Sequence, residues 1–318
     1  MYKNNISLLL YMNFNFNLNE GSPICYVNGG EYNKEIIYLS STKNDKNKNI
    51  KNQDMDLLIE NMYKNMKGRV NFTKLEKLQN SIIDKQRPKD KTLIKYYDQA
   101  MNILNNSQGK EIILKNGECS PMFDTTKERQ VFMITGMSGS GKSTYTGDLI
   151  KAYHKQHPKN DVFVFSNKTE DPALDKYKIK RIPIDEDLLE DHINLDELRS
   201  SLVIFDDIEG NPSKEINREM DRLRDLILQQ GRSYKVSFIY ISHLANNYKQ
   251  TRTILNECNA ITIFPAMTTK YALKYLLEKY FGFDKNDINK VVHLPSRWVT
   301  IYKAPILTLY SKGCYLLN

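Results

Sequence analysis

Cysteine is scarce in this sequence. Its 318 residues include four cysteines, Cys25, Cys119, Cys258 and Cys314, and no two of them form a CxxC pair. Structural zinc sites use closely spaced cysteine pairs, and small secreted domains use a dense set of disulfides. The sequence therefore predicts neither kind of stabilisation and is typical of a reducing, intracellular setting.

Long apolar runs are also lacking. The apolar N-terminal stretch ISLLLYM is followed at once by the polar FNFNLNEG. It is shorter than the roughly 20 apolar residues that span a bilayer, and it has no small-residue cleavage site of a signal peptide. We therefore expect no membrane insertion and interpret the stretch as a strand or an early core segment.

The remaining composition is that of a globular chain with a basic balance. Hydrophobic residues make up 40% and charged residues 26% of the sequence, and the length suffices for one large domain or a core domain with a smaller attachment. The net charge of +8 and the pI of about 9.0 favour anionic partners such as nucleic acid. The abundance of Asn, Lys, Ile and Tyr also fits an AT-rich genome, so charge alone leaves the ligand open.

The pattern along the chain predicts four parts. Residues 1–41 hold the short apolar runs ICYV and EIIYLS, separated by a glycine pair, which is typical of a small β-hairpin. Residues 42–54 are rich in Lys and Asn and predict a solvated linker. Residues 55–108 repeat apolar residues at helical spacing and predict a helical subdomain. From 109 to 318 strands and helices alternate, which predicts an α/β domain with a mostly parallel sheet covered by helices on both faces. Within it we expect a helix from about Ser213, with apolar residues on one face and Gly231 just past its end. The last stretch, VTIYKAPILTLYSKGCYLL, is bent at Pro305 and Gly313 and predicts a C-terminal hairpin.

A glycine-rich loop follows the first strand of that domain. The strand VFMIT is followed by GMSGSGKST, which has the P-loop spacing GxxxxGK[ST]. Small residues let the backbone N–H groups turn inward onto an anion at the N-terminus of a helix. The candidate nucleotide-binding residues are Gly136, Ser138, Gly139, Ser140, Gly141, Lys142, Ser143 and Thr144. We expect Lys142 to reach the β- and γ-phosphates and Ser143 to offer its hydroxyl to Mg²⁺, so the predicted cofactors are ATP and Mg²⁺.

A second apolar strand, SLVIFDD, ends in two carboxylates. Open α/β sheets bind their ligands at the carboxyl ends of the strands, so this strand delivers acids to the site of the P-loop. Asp206 is predicted to hold Mg²⁺. Asp207 is predicted to accept a proton from the attacking water or to position that water, and Glu209 is a rival for this role.

Four further residues are candidates for a role at the γ-phosphate. His243, with Ser242, ends the strand VSFIYIS, where a side chain can touch the phosphate or the attacking water. Hydrolysis also needs extra positive charge in the transition state, often an arginine from a neighbouring subunit. Arg232 and Arg252 are the candidates for that arginine finger.

The combination of GMSGSGKS, LVIFDDI and GRSYKVSFIYISHLANNYKQTRTILNECNAITIFP resembles the poxvirus-type genome-packaging ATPases of large eukaryotic DNA viruses, within the HerA/FtsK branch of P-loop NTPases. The resemblance covers about residues 130–264 well and the segments beyond more loosely. It implies an additional-strand, RecA/FtsK-like core with strand order 5-1-4-3-2, a homo-oligomeric ring and ATP-driven translocation of double-stranded DNA into a capsid. It also implies capsid or portal proteins as partners, and the host cytoplasm or the virion as the location.

By position, the resemblance assigns roles to five residues. It makes Lys142 and Ser143 the nucleotide and Mg²⁺ contacts, Asp206 the metal carboxylate, Asp207 the water-activating acid and Arg232 the finger. The chain departs from the branch in having Asp where the second acid is commonly Glu. It also departs in having Ser-His at the end of the next strand, where the branch has a glutamine-like sensor.

A small-molecule kinase is the alternative function, because many such enzymes open with a similar P-loop. A kinase needs an acceptor pocket and an arginine-bearing lid near the phosphates. The stretch RIPIDEDLLEDHINLDELRSS is too acidic, and is expected to be too regularly helical, to form that lid. A nucleotide switch without hydrolysis is disfavoured by the acidic end of LVIFDD, so the favoured function is a DNA-translocating ATPase.

Overall fold

The computed structural model describes residues 13–16, 21–40, 77–78, 81, 87–98, 110–208, 211–243 and 248–317, with the backbone alone at 248–251. The chain divides into two compact units. One comprises residues 1–17 and 39–112, and the other comprises residues 18–38 and 113–318.

The predicted domain boundaries fall differently from this division. Residues 18–38 belong to the unit that contains the P-loop. The stretch ISLLLYM and the predicted linker lie outside the described residues. Of the predicted helical subdomain, residues 77–78, 81 and 91–98 are described and helical. The division at residues 41, 54 and 108 stays a prediction.

Five short strands precede the P-loop strand in the chain. They are β1 (Asn13–Asn15), β2 (Ser22–Asn28), β3 (Ile36–Ser40), β4 (Glu111–Ile113) and β5 (Glu118–Pro121). Strand β3 neighbours β2, as predicted for a hairpin, and the Val27 N–H donates to the Glu35 carbonyl at 2.8 Å. Strand β2 also pairs antiparallel with β5. This pairing explains why residues 18–38 belong with the C-terminal part of the chain.

The β2–β5 pairing brings together two cysteines that are 94 residues apart in sequence. The Cys25 Sγ donates a hydrogen bond to the Cys119 Sγ at 3.0 Å, and both thiols are buried and free. Burial raises the pKa of the Cys25 thiol well above its ordinary value. A buried thiol of raised pKa is unreactive and acts as a small apolar side chain.

The remaining elements follow in a regular alternation. They are β6 (Val131–Thr135), α1 (Lys142–Gln156), β7 (Val162–Ser166), α2 (Pro172–Asp175), β8 (Lys180–Pro183), α3 (Asp187–Glu190), β9 (Leu202–Asp206), α4 (Lys214–Gln230), β10 (Ser237–Ser242), α5 (Tyr248–Glu257) and β11 (Ala260–Ile263). After a 3-10 turn at Pro265–Met267 come α6 (Lys270–Phe281), α7 (Lys285–Val292), β12 (Val299–Lys303), β13 (Ile306–Tyr310) and β14 (Gly313–Leu316).

The central strands form a parallel sheet in the order β11-β6-β10-β9-β7-β8. Numbering β6, β7, β9, β10 and β11 in chain order gives 5-1-4-3-2, the order that the resemblance implied. Strand β10 lies between the P-loop strand β6 and the acidic strand β9, and their carboxyl ends meet at one edge of the sheet. Strand β8 adds an outer parallel strand that the sequence analysis did not predict.

The C-terminal end of the chain extends this sheet with antiparallel strands. Strand β12 pairs with β11, and β13 and β14 follow in a meander. The predicted terminal hairpin was therefore one strand short, because the two bends expected at Pro305 and Gly313 are each a turn between two strands.

Helices cover both faces of the sheet. Helix α4 begins where Ser213 Oγ accepts the Ile216 N–H and ends at Gly231, as predicted. Its buried residues pack with those of β9 and β10 in one apolar cluster. On the other face, the rings of Tyr153 in α1 and Phe132 in β6 both contact Phe123, at centroid distances of 5.2 and 5.3 Å.

The acidic stretch between β8 and β9 is less helical than predicted. Only the four residues of α3 are α-helical there, and turns occupy residues 195–200. Among the described residues, no helix is both long enough and apolar enough to cross a membrane.

Candidate nucleotide-binding site

The loop between β6 and α1 has a backbone that requires its glycines. Gly139 and Gly141 have φ angles of 75° and 110°, in the left-handed region where a side chain is strained. A Cβ on Gly136 would lie 2.9 Å from the Ser140 Oγ and 3.0 Å from the Phe264 ring. The structure therefore requires glycine at these three positions, at two because of the backbone conformation and at Gly136 because of close packing.

Lys142 is the first residue of α1, and its amino group is turned back over the loop. Its Nζ donates to the carbonyl of Gly136 at 2.7 Å and to that of Met137 at 3.1 Å. Burial lowers the pKa of Lys142 below its ordinary value, although the nearby carboxylates of Asp206 and Asp207 oppose this effect. The sequence predicted that Lys142 contacts phosphate, and in the structure its amino group lies against the loop that would bind the phosphate.

Asp206 ends β9 and is almost completely buried, at 2% exposure. Its Oδ2 has no hydrogen-bond partner among the described residues, and the Lys168 Nζ lies 3.6 Å away, too far for a hydrogen bond. Burial raises the pKa of Asp206, and the Lys168 charge only partly opposes this. A buried carboxylate oxygen without a hydrogen bond costs about 1–3 kcal/mol, so the fold keeps this acid at the expense of its own stability.

Asp207 follows in a left-handed backbone conformation, with a φ of 55°, and leaves the strand at once. Its Oδ1 lies 3.2 Å from the His243 Nε2, and the His243 Nδ1 lies 3.3 Å from the Lys142 Nζ. One neutral tautomer satisfies both contacts, because a proton on Nε2 is donated to Asp207 while Nδ1 accepts from the lysine. His243, proposed from the sequence as a sensor, thus connects the P-loop lysine to the second acid.

Lys168 is a site residue that the sequence analysis missed. It follows β7, and its Nζ lies 3.6 Å from the Asp206 Oδ2 and 3.8 Å from the Asp207 Oδ2. No motif marks it. Lys168 could have been predicted from its position, because it follows the carboxyl end of a strand that neighbours β9.

Arg297 is a second missed residue. It lies between α7 and β12, 155 residues after Lys142 in the sequence, yet its Nε and Nη2 donate to the P-loop carbonyls of Ser140 and Gly139 at 2.8 and 2.9 Å. Arg232 and Arg252, the arginines predicted from the sequence to act at the γ-phosphate, both precede β11. A residue joined to the loop by tertiary folding alone carries no local sequence signal.

Within one chain, the predicted finger residue Arg232 lies far from this loop. Arg232 lies in the turn before β10, at the end of the parallel sheet opposite the P-loop, with its Nε 3.3 Å from the Glu128 Oε2. Its side chain is 79% exposed. Arg252 is an exposed residue of α5. Glu209, the rival base, lies outside the described residues.

These residues fit a Mg²⁺-nucleotide. The loop with its helix N-terminus and Lys142 suits phosphate, and the orphaned Asp206 oxygen suits a cation. Among the described residues no three His, Cys, Asp or Glu side chains cluster as a metal site. A Mg²⁺ held here would use Asp206, the Ser143 hydroxyl, water and phosphate oxygens, and such shared coordination is usual for this ion.

Comparison with known proteins gives one close relative. No protein-family model matches the sequence. The chain is 37% identical over 216 residues to the uncharacterized protein V3 of Sputnik virophage, a match that covers 67% of this chain and 87% of V3.

Solved structures give weaker matches. The genome-packaging NTPase B204 of Sulfolobus turreted icosahedral virus 2, solved with AMPPCP, matches 58% of this chain and 98% of its own, with 13% identity and a TM-score of 0.41. The pCW3 conjugation coupling protein TcpA, solved with ATPgS, matches 92% of this chain and 77% of its own, with 12% identity and a TM-score of 0.40.

The identity with V3 extends over most of that protein, which places both chains in one family. The strand order and the loop geometry independently define the core. This chain belongs to the same family as protein V3 of Sputnik virophage, and its core is a P-loop NTPase fold with an additional strand between the P-loop strand and the acidic strand.

Proposed function

We propose that this protein is an ATP-hydrolysing motor that translocates double-stranded DNA, and that it packages a viral genome into a capsid. The observation that carries the proposal is the meeting of Lys142, Asp206 and Asp207 at one edge of a 5-1-4-3-2 sheet. Membership of a family with a virophage protein supports the viral setting.

Each residue of the site has a role in hydrolysis. Lys142 follows the charge on the β- and γ-phosphates, and Asp206 and Ser143 hold Mg²⁺, which when bound neutralises charge on the phosphate oxygens. Asp207 orients or deprotonates the attacking water, with Glu209 as its rival. His243 holds the Asp207 carboxylate at 3.2 Å and so fixes its direction.

A ring explains how Arg232 would take part. Since it lies at the opposite end of the sheet from its own P-loop and is mostly exposed, a role at the γ-phosphate requires that it reach the site of a neighbouring subunit. An arginine finger supplied in trans is worth about 10³–10⁵ in turnover in well-studied NTPases.

Mixing subunits tests the ring. Arg232→Ala protein mixed with wild type is expected to depress ATPase activity by more than its share of the mixture, because each variant subunit disables a neighbour's site. Arg199→Ala, an exposed arginine paired with Asp196, is the matched control and should leave the rate unchanged. A strictly proportional loss, or a fully active monomer, would contradict the ring.

Duplex DNA is the proposed cargo, and the contacts are proposed to be with phosphates and to read no sequence. The net charge of +8 supplies lysines and arginines for such contacts, which release counterions when they form. We expect duplex DNA to stimulate the ATPase severalfold, equally for random sequences of one length, and to bind more weakly as salt is raised.

The same assay distinguishes the motor from a kinase. The ATPase rate is measured with and without duplex DNA and with a panel of nucleosides and sugars as phosphate acceptors. If DNA leaves the rate unchanged while one of these acceptors is phosphorylated, the motor proposal is wrong and the kinase replaces it.

A further inference from the structure

Arg297 approaches the P-loop from a part of the chain that lies outside the three stretches that carry the resemblance. Its guanidinium donates from Nε to the Ser140 carbonyl at 2.8 Å and from Nη2 to the Gly139 carbonyl at 2.9 Å. A Cβ on Gly141 would lie 3.2 Å from the Arg297 Nε, so the arginine also lies close to the residue just before α1. Two adjacent peptide groups of the loop are therefore held by one planar donor.

Holding a carbonyl also orients the amide of the same peptide group. In a trans peptide the C=O and the following N–H point in opposite directions. The bond to the Ser140 carbonyl therefore turns the Gly141 N–H away from Arg297, toward the other side of the loop. The bond to the Gly139 carbonyl does the same for the Ser140 N–H, which donates to the Met137 carbonyl at 3.2 Å and closes the turn.

The segment that carries Arg297 is itself anchored to the sheet and to α1. The Ser311 N–H donates to the Ser296 Oγ at 3.0 Å, which ties the segment to the turn before β14. The Trp298 ring packs on Tyr145 of α1 at a centroid distance of 4.9 Å, and the Tyr145 hydroxyl bonds the Thr300 hydroxyl at 2.6 Å. The backbone on both sides of Arg297 is therefore held by tertiary contacts, and these contacts fix the position from which its side chain reaches the P-loop.

We propose that Arg297 is a positioning residue of the nucleotide site: it holds the turn of the P-loop closed and turns the Gly141 N–H to the side that binds phosphate before the nucleotide arrives. The inference rests on the nucleotide-binding part of the proposed function and is independent of DNA translocation. Because the loop is held in its binding conformation, less of the binding free energy is used to order it. Without Arg297, only a fraction of molecules has the competent loop, and the apparent Kd rises by the inverse of that fraction.

The test measures ADP binding by calorimetry in Arg297→Ala and Arg297→Lys. We expect the Kd to rise about tenfold in Arg297→Ala if the competent fraction falls to about one tenth. Arg297→Lys, which can donate to one carbonyl but cannot span two in a plane, should fall between wild type and Arg297→Ala. At saturating ATP, kcat should stay within about twofold of wild type, because a ground-state orienting effect changes KM rather than the chemical step.

A second readout needs no nucleotide. Hydrogen exchange of the peptide that covers residues 136–141 should speed up in ligand-free Arg297→Ala, because the loop amides open more often. A merely stabilising role in the C-terminal strands would leave these amides unchanged and would speed exchange in β12–β14.

Arg129→Ala is the matched control. Arg129 also donates to two adjacent backbone carbonyls, those of Ile227 and Leu228 at 2.7 and 2.9 Å, but at the end of α4, away from the P-loop. The Arg129→Ala change should lower Tm at least as much as Arg297→Ala does and should leave the ADP Kd unchanged.

If Arg297→Ala binds ADP as wild type does, or if both variants weaken binding alike, the inference is overturned. If wild type binds ADP and only the DNA dependence is missing, the motor proposal fails and this inference stands.

Discussion

Replacing Lys142 with alanine is expected to reduce ATP hydrolysis to background, a loss of at least about 10³-fold, while the protein stays folded. The lysine is the one side chain of the loop whose charge can follow the γ-phosphate through the transition state, whereas the backbone amides only position the nucleotide. The fold should tolerate the change because burial already lowers the pKa of Lys142, which means that the folded chain pays to keep this charge.

The measurement is steady-state phosphate release, with Tm as the check on folding. Lys151→Ala is the matched control, since Lys151 is an exposed lysine of the same helix α1. It should hydrolyse ATP at the wild-type rate. Near-normal turnover in Lys142→Ala would overturn the assignment of the nucleotide site.

The parts of the fold that the sequence predicted are those with strong local signals. The buried strand VFMIT, the glycine loop and the following helix lie where the spacing placed them, because each depends on neighbouring residues. Helix α4 was also predicted, from its apolar face, its Ser213 cap and Gly231. The strand order came from the resemblance rather than from any residue pattern, and the structure confirms it.

The parts that the sequence missed depend on contacts between distant segments. Strand β8, KRIP, is short, half exposed and ends in proline, so neither alternation nor a buried run marks it. Lys168 and Arg297 join the site because parallel strands and a C-terminal meander bring them there. Cys25 and Cys119 likewise meet only through the β2–β5 register. Such residues could be found only after the sheet was assembled.

The site also shows why sequence and structure agree best on its acids. Asp206 is costly to the folded chain, since it is buried with an unbonded oxygen, and apolar residues would serve a strand end better. A polar residue kept at such a position marks function rather than stability. The sequence indicated this acid because it directly follows an apolar strand, at the edge of the sheet where such folds bind their ligands.

Substitutions of Asp206 and Asp207 are expected to differ in their effect on stability. Asp206→Asn should raise the free energy of unfolding of the nucleotide-free protein by about 1 kcal/mol at neutral pH, because it removes a buried charge that lacks a hydrogen bond. The same change should abolish hydrolysis and remove the Mg²⁺ dependence of nucleotide binding. Asp207→Asn should change stability little, since its carbonyl oxygen can still accept from the His243 Nε2.

The pH dependence of stability shows whether the ionised Asp206 carboxylate stabilises or destabilises the folded protein. The pKa of Asp206 is raised in the folded state, so ionisation costs more there than in the unfolded chain. Wild-type stability is therefore lost as the pH rises from the ordinary aspartate pKa of about 3.9 through the raised folded value. The gain in Tm of Asp206→Asn over wild type, about 2–4 °C at neutral pH, should shrink as the pH is lowered toward 3.9. An equal or lower Tm at neutral pH would show that the Lys168 pair outweighs burial.

The hydrolysis rates of the variants show which acid orients or deprotonates the attacking water. Asp207→Asn should bind Mg-ATP as wild type does, because Asp206, Ser143 and the loop are untouched, and should hydrolyse it about 10²–10⁴ times more slowly, the usual loss of a general base. Binding is measured by calorimetry with a non-hydrolysable analogue, and turnover by phosphate release. If Asp207→Asn hydrolyses ATP normally while Glu209→Gln does not, the base is Glu209, and the contact between His243 and Asp207 serves to place the P-loop lysine instead.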